Sequence, residues 1–151
     1  MDIAVDDLSG DDIAAFLAAH VSEMKTLSPL ESKHALDLDG LRRPEITFWS
    51  VRDGGALVGC GALKELDGDH AELKSMRTDP VRKRSGIASW LLAHIVAEAG
   101  RRGYRRLSLE TGSAEFFAPA RALYAKFGFA YCPPFGEYRD DPHSVYMSRL
   151  L

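Results

Sequence analysis

A chain of 151 residues, 46% hydrophobic and 27% charged, can bury one self-sufficient core and is too apolar to stay disordered. A formal net charge of −3 excludes the basic surface of a general nucleic-acid binder, and no stretch approaches the ~20 apolar residues of a membrane span. Two cysteines without CxxC spacing and five histidines without an HExxH pair point to a reducing compartment and supply no metal set.

The acidic start, Met1 to Asp7, lacks the basic and apolar segments of a secretion signal, so a cytoplasmic location is expected. Residues 2–6 read as a first strand. Ser9 or Asp11 can cap the helix that follows. There Ile13, Phe16, Leu17, Val21 and Met24 recur at three- and four-residue steps, which gives one buried face. Ser28-Pro29 ends that helix, and Leu30 to Gly40 reads as a short second one. Two strands, Ile46 to Arg52 and Ala56 to Leu63, flank Asp53-Gly54-Gly55, a hairpin turn whose glycines accept positive φ. After the turn Leu66 to Asp69, a strand from His70 to Thr78 alternates imperfectly: Leu73 and Lys74, then Met76 and Arg77.

The stretch Thr78 to Ala88 joins that strand to an apolar helix carrying Ile87, Leu91, Leu92, Ile95, Val96 and Ala99, which ends at Gly100 to Gly103. Asp79-Pro80 breaks the strand, and Gly86 and Ala88 remove bulk where the helix begins. Unpaired N–H groups and the helix dipole, beside Arg82, Lys83 and Arg84, suit a phosphate or pyrophosphate. The same residues also fit an ordinary strand-to-helix turn with solvated cations. Tyr104 to Glu110 reads as the next strand, broken at Thr111 to Ser113. Pro119 to Lys126 is a compact helix closed by Gly128, and Phe129 to Tyr131 starts another strand. An irregular loop between Pro133 and Pro142 precedes a last strand, His143 to Leu151. This order implies an α+β fold in a single domain, 1–151, with one mixed sheet. A locally parallel pair lies around the basic turn, with a ligand at the carboxyl end of the strand before it.

Lys83-Arg84-Ser85-Gly86-Ile87-Ala88 resembles the Q/R-x-x-G-x-G/A motif of the GNAT superfamily of N-acetyltransferases. Ala120 to Phe129 resembles that family's A-x-x-L-Y-x-K-x-G-F segment, and the two stand in the family's order with a strand between them. The chain looks like a bacterial small-molecule-type member. It departs from the pattern at Lys83, where Gln or Arg is usual, at Arg84, where glycine is common, and at Phe117, where many members carry a coenzyme-contacting asparagine. The resemblance implies the acyl-CoA N-acyltransferase fold, a central mixed and mostly antiparallel sheet flanked by helices. It also implies acetyl-coenzyme A (acetyl-CoA) as co-substrate and no metal. The pyrophosphate would lie on the backbone N–H groups of Arg82, Lys83, Arg84, Ser85, Gly86, Ile87 and Ala88. The pantetheine arm would follow Met76, Arg77 and Thr78 in a splay between two parallel strands, with the Met76 N–H polarising the thioester carbonyl. Such a donor is worth ~3 kcal/mol when aimed at developing charge.

Tyr124 stands at the family's tyrosine position, where a phenol returns a proton to the departing thiolate; its residue type also fits a core tyrosine beside Leu123 and Phe127. Glu72, fourteen positions ahead of Gly86, corresponds to the general-base glutamate of the family's histone-acetylating branch. It also fits a surface glutamate pairing with Lys74 or Arg77. Glu110 is a second candidate base or acceptor anchor, or a cap for the Thr111-Gly112 turn. Glu31 and His34 fall in the family's acceptor-binding segment, and Tyr138 and Arg139 sit in a polar loop that faces the acceptor or ties itself down. The expected activity is acetyl transfer to a primary amine by direct attack, a small amine or amino acid being favoured over a protein lysine. No nucleic acid or membrane partner is expected, and the assembly is a monomer or homodimer. The alternative is an acetyl-CoA-binding sensor or partner-binding module without efficient catalysis.

Overall fold

The computed structural model describes residues 1–27, 38–82 and 85–151, the side chains of residues 24–27 excepted. In chain order it contains β1 (Asp2–Val5), α1 (Asp11–Leu27), α2 (Leu38–Leu41), β2 (Ile46–Asp53), β3 (Ala56–Glu65) and β4 (His70–Thr78). There follow a 3₁₀ turn (Pro80–Arg82), α3 (Ile87–Arg101), β5 (Arg106–Gly112), a second 3₁₀ turn (Glu115–Phe117), α4 (Ala118–Lys126), β6 (Ala130–Cys132) and β7 (Ser144–Leu150). One seven-stranded sheet runs β1-β2-β3-β4-β5-β7-β6. Only β4 and β5 are parallel among its neighbours. This is the mixed, mostly antiparallel sheet expected from the element order. Among the described residues, no helix is long and apolar enough to cross a membrane.

Local chemistry sets most of these bounds. The β2–β3 hairpin turns on Gly54 and Gly55, whose φ values of 57° and 85° are those a side chain resists. Helix α1 starts with Asp11 and Asp12 at the positive end of its dipole. Ser9 does not cap it, because its hydroxyl and N–H both turn back to Asp7 Oδ1, at 2.6 and 3.0 Å. The expected strand start at Tyr104 moves to Arg106. The Arg105 and Arg106 N–H groups still donate to the Asp69 carbonyl, while Tyr104 buries its ring and donates its hydroxyl to Glu65 Oε1 at 2.8 Å. The second helix is described only as Leu38–Leu41; residues 30–37 of that expectation lie outside the described residues.

Helices α3 and α4 cover one face of the sheet. Leu63, Leu73, Leu107 and Leu109 pack there under Leu91, Leu92 and Ile95. Helix α1 covers the other face over β2 and β3, where Ile13, Leu17, Phe48, Cys60 and Ala62 form a second cluster. Beyond it, that same face of β4, β5 and β7 is polar, carrying Glu72, Ser108, Ser144 and Ser148, all buried. An apolar patch and a buried polar patch side by side on one sheet face make this a place for chemistry rather than for packing.

Two irregularities give the polar patch its shape. In β4, Cys60 faces Arg77 and Ala62 faces Lys74, so Gly61 stands opposite both Ser75 and Met76. This bulge holds Ser75 at a φ of 57°, a strained conformation for a residue with a side chain. The extra residue reverses the alternation, which explains the imperfect pattern in the sequence. Met76 therefore lies against Gly61 and Ile95 on the α3 side, and Arg77 points to α1. Second, β4 and β5 pair only from His70–Arg106 to Leu73–Leu109. Strand β5 stays on β7 as far as Gly112, which is why Thr111 does not break it, while β4 stays on β3 as far as Thr78. Past Leu73 the two parallel strands diverge.

Candidate active site

The basic turn sits at the carboxyl end of β4. Gly86 starts α3 with φ 86° and brings no side chain to cap it, and an added Cβ there would meet nothing within 4 Å. The first N–H groups of this fifteen-residue helix are thus left to an outside acceptor, which fits the diphosphate of a coenzyme. Arg82 is turned away from that point: its Nη1 pairs with Asp53 Oδ2 at 2.5 Å. Ser85 closes the turn by donating its hydroxyl to the Arg82 carbonyl. Lys83 and Arg84 lie outside the described residues.

Where β4 and β5 diverge there is a cavity of about 130 Å³. Phe117, Ala120 and Tyr124 line it from the α4 side, and Glu72, Lys74, Tyr138 and His20 from the other. Because these groups belong to opposite faces, the cavity passes through the sheet. Met76 and Ser75 form one wall, Leu109, Glu110 and Thr111 the other. Arg121 fixes α4 to this wall, donating to the Gly112 and Ala114 carbonyls at 2.7 and 2.9 Å.

Tyr124 is 7% exposed, and its hydroxyl has no protein partner among the described residues. Burial first, and the charge of Glu110 second, push its pKa up, so it is a phenol and a proton donor at neutral pH. Glu72 is buried rather than on the surface. Its Oε2 accepts from Tyr138 Oη at 2.5 Å and from Lys74 Nζ at 3.2 Å, and Lys74 also donates to Tyr138 Oη at 3.0 Å. The expected pairing with Lys74 therefore exists, whereas pairing with Arg77 is prevented by the bulge. Burial, then the adjacent Glu72 carboxylate, raises the Tyr138 pKa as well. Glu110 accepts from the Ser144 hydroxyl at 3.1 Å. The floor continues as a chain of hydroxyls, His70 Nε2 to Ser108 at 2.6 Å and Ser108 to Ser148 at 2.8 Å.

Among the residues singled out from sequence, the cavity brings together Tyr124, Glu72, Met76, Glu110 and Tyr138. The Arg77 side chain leaves toward α1, where it meets Glu23 Oε2 and His20 Nδ1, each at 3.2 Å, and stacks on Phe16. Thr78 ends β4 beyond the cavity, and Arg139 is exposed, its carbonyl accepting from Tyr146 Oη at 2.6 Å. Glu31 and His34 lie outside the described residues. His20 is not among the residues expected in the site, and Lys74 is expected only as a partner for Glu72. His20 carried a readable signal, since it follows Phe16 by four and Leu17 by three and so falls on the apolar stripe of α1.

The profile of the Acetyltransferase (GNAT) family matches residues 13–129. The chain is 54% identical to the uncharacterized N-acetyltransferase YsnE of Bacillus subtilis (strain 168), over 100% of both proteins. It is 42% identical to the IAA acetyltransferase of Azospirillum brasilense, over 83% of this chain and 81% of that one. Among solved structures, a GNAT family acetyltransferase from Elizabethkingia anophelis with acetyl-CoA bound superposes with a TM-score of 0.70 at 17% identity. That alignment covers 99% of this chain and 97% of the other, and the likeness is one of fold.

Proposed function

The chain belongs to the GNAT acetyltransferase family and is an acetyl-CoA-dependent N-acetyltransferase; from that premise we propose that its acceptor is a small primary amine or amino acid. The observation that carries the acceptor reading is the narrow passage through the sheet. At about 130 Å³ it has room for a compact amine. Its described lining holds the carboxylates of Glu72 and Glu110 against the one ammonium of Lys74, an excess of negative charge that favours a cation.

The same reading gives each residue a role. The turn at Gly86, Ile87 and Ala88 receives the diphosphate, the Arg82 and Ser85 N–H groups being already donated to the Asp79 and Arg82 carbonyls, and the strand Met76, Arg77 and Thr78 receives the pantetheine arm, mostly through backbone. The Met76 N–H, at the bulge, polarises the thioester carbonyl. The amine nitrogen forms its bond to that carbon as the carbon–sulfur bond breaks. The sulfur leaves with the electron pair and takes the Tyr124 proton, and the proton that the acylated nitrogen then sheds restores the phenol. An attacking ammonium has first to lose a proton, and Glu72, through Tyr138 or a water, is its destination. Since Tyr138 and Lys74 already occupy Glu72 Oε2, proton removal runs through this hydrogen-bonded set rather than through an isolated carboxylate. The test is thiol release from acetyl-CoA across a panel of alkylamines, amino acids and lysine peptides. Turnover of lysine peptides alone would overturn the acceptor assignment.

A further inference from the structure

We infer that His20 determines acceptor specificity by donating an Nε2–H hydrogen bond to an oxygen of the substrate. On this inference the acceptors are primary amines that carry a carbonyl, carboxylate or hydroxyl oxygen near the nitrogen. The inference rests on the acetyltransfer reading and adds to it which amines are accepted.

His20 is the α1 residue that lines the cavity, on the face bearing Glu72, Lys74 and Tyr138. Its Nδ1 is 3.2 Å from Arg77 Nη1. A guanidinium has donors and no acceptor, so Nδ1 must accept, and the single proton of the neutral ring sits on Nε2. Arg77 is itself held in place: its side chain is 9% exposed, paired with Glu23 Oε2 and laid over the Phe16 ring. The tautomer is therefore set by a fixed neighbour. Burial first, and Arg77 second, bring the His20 pKa down to about 4, so the ring stays neutral at physiological pH.

The protonated Nε2 has no lone pair to take a proton from an amine, which removes His20 as a general base. What remains is one neutral donor, without another partner among the described residues. Carboxylates at Glu72 and Glu110 attract the ammonium of an approaching amine and cannot donate to an oxygen of the same molecule, while Lys74, a donor on the same wall, is engaged by Glu72 and Tyr138. His20 can. The two kinds of group together describe an amine with a nearby oxygen acceptor.

The experiment compares kcat/KM for two series matched in carbon count: amines bearing an oxygen (an amino acid, its amide, the amino alcohol) and plain alkylamines. Wild type should prefer at least one oxygen-bearing arm, and which arm leads identifies the oxygen. His20→Leu should collapse that preference by on the order of tenfold, the worth of one hydrogen bond. His20→Gln, whose side-chain amide carries N–H groups, should restore most of it. Acetyl-CoA binding by each variant reports that the fold is kept. Equal loss in both series, or an unchanged preference in His20→Leu, overturns the role of His20. If wild type acetylates no amine of either series, the small-amine reading fails instead.

Discussion

Gly61 offers a measurement of how tightly the bulge holds Met76. A Cβ at this position would stand 2.7 Å from Met76 Sδ, 2.9 Å from Ile95 Cδ1 and 3.3 Å from Leu91 Cδ2. Carbon contacts settle at about 3.5–4.0 Å, so Leu91 must give slightly and Met76 and Ile95 must give way outright. Ile95 is fully buried, and Met76 is the longer and more flexible of the two. Overpacking of this kind costs about 1–3 kcal/mol. In a domain of this size that lowers the melting temperature by about 3–10 °C. Because Met76 moves, Gly61→Ala should also raise KM for acetyl-CoA more than KM for the amine. Scanning calorimetry and initial rates with each substrate varied in turn provide the readout. Met76→Ala added to Gly61→Ala should recover part of the lost stability, a coupling that a double-mutant cycle isolates. Wild-type stability in Gly61→Ala, or strict additivity of the two substitutions, would refute the reasoning.

Tyr124→Phe should reduce kcat by about 10²–10⁴-fold while leaving acetyl-CoA binding intact; full turnover at every pH would remove the phenol from the reaction. Tyr138→Phe deletes the hydroxyl between Glu72 and Lys74 and should cost about 1–3 kcal/mol in a denaturant titration. An unchanged midpoint would show that the hydroxyl contributes nothing. His20 should titrate near pH 4 by imidazole NMR, against an ordinary 6.5. Between these values the unfolded chain binds the extra proton, so the His20 contribution to stability is complete above pH 6.5 and is lost as pH falls toward 4. A folded-state titration at 6 or above would contradict the Arg77 contact. Cys60 is fully buried, and burial pushes its pKa up to about 12. The native protein should therefore resist alkylation there, while half-buried Cys132 reacts first.

Much of the fold was readable because its signals are local. Turn glycines, the apolar stripe of α1 and the Ile87-to-Ala99 face each depend on neighbours a few residues away. The His70–Thr78 segment also reported its own irregularity, since its alternation failed at the place where the bulge lies. What the sequence could not convey was the sense of the failure. Only the register against β3 shows that Met76 turns to α3 and Arg77 to α1. The candidate site divides in the same way. Tyr124 and the Gly86 turn came from contiguous motifs. Glu72 and Lys74 are two positions apart on one strand, but Tyr138 joins them from 66 residues away, and no spacing rule brings it there. His20 was missed because a lone histidine on an apolar helix face is ordinarily a core residue, and its partner Arg77 lies 57 residues away.

The sheet order has a consequence for how the protein is made. Strand β7 is the last to leave the ribosome among those described, yet it lies between β5 and β6, paired with both. A nascent chain that has not reached Ser144 carries β5 and β6 as two bare edges with nothing to join them, the kind of surface on which chains cross-pair. Ser144 and Ser148, which arrive with that strand, are the partners of Glu110 and Ser108. Strand closure and completion of the cavity floor are one event in biosynthesis, so truncation or stalling before residue 144 should yield an aggregating chain rather than a weakened enzyme.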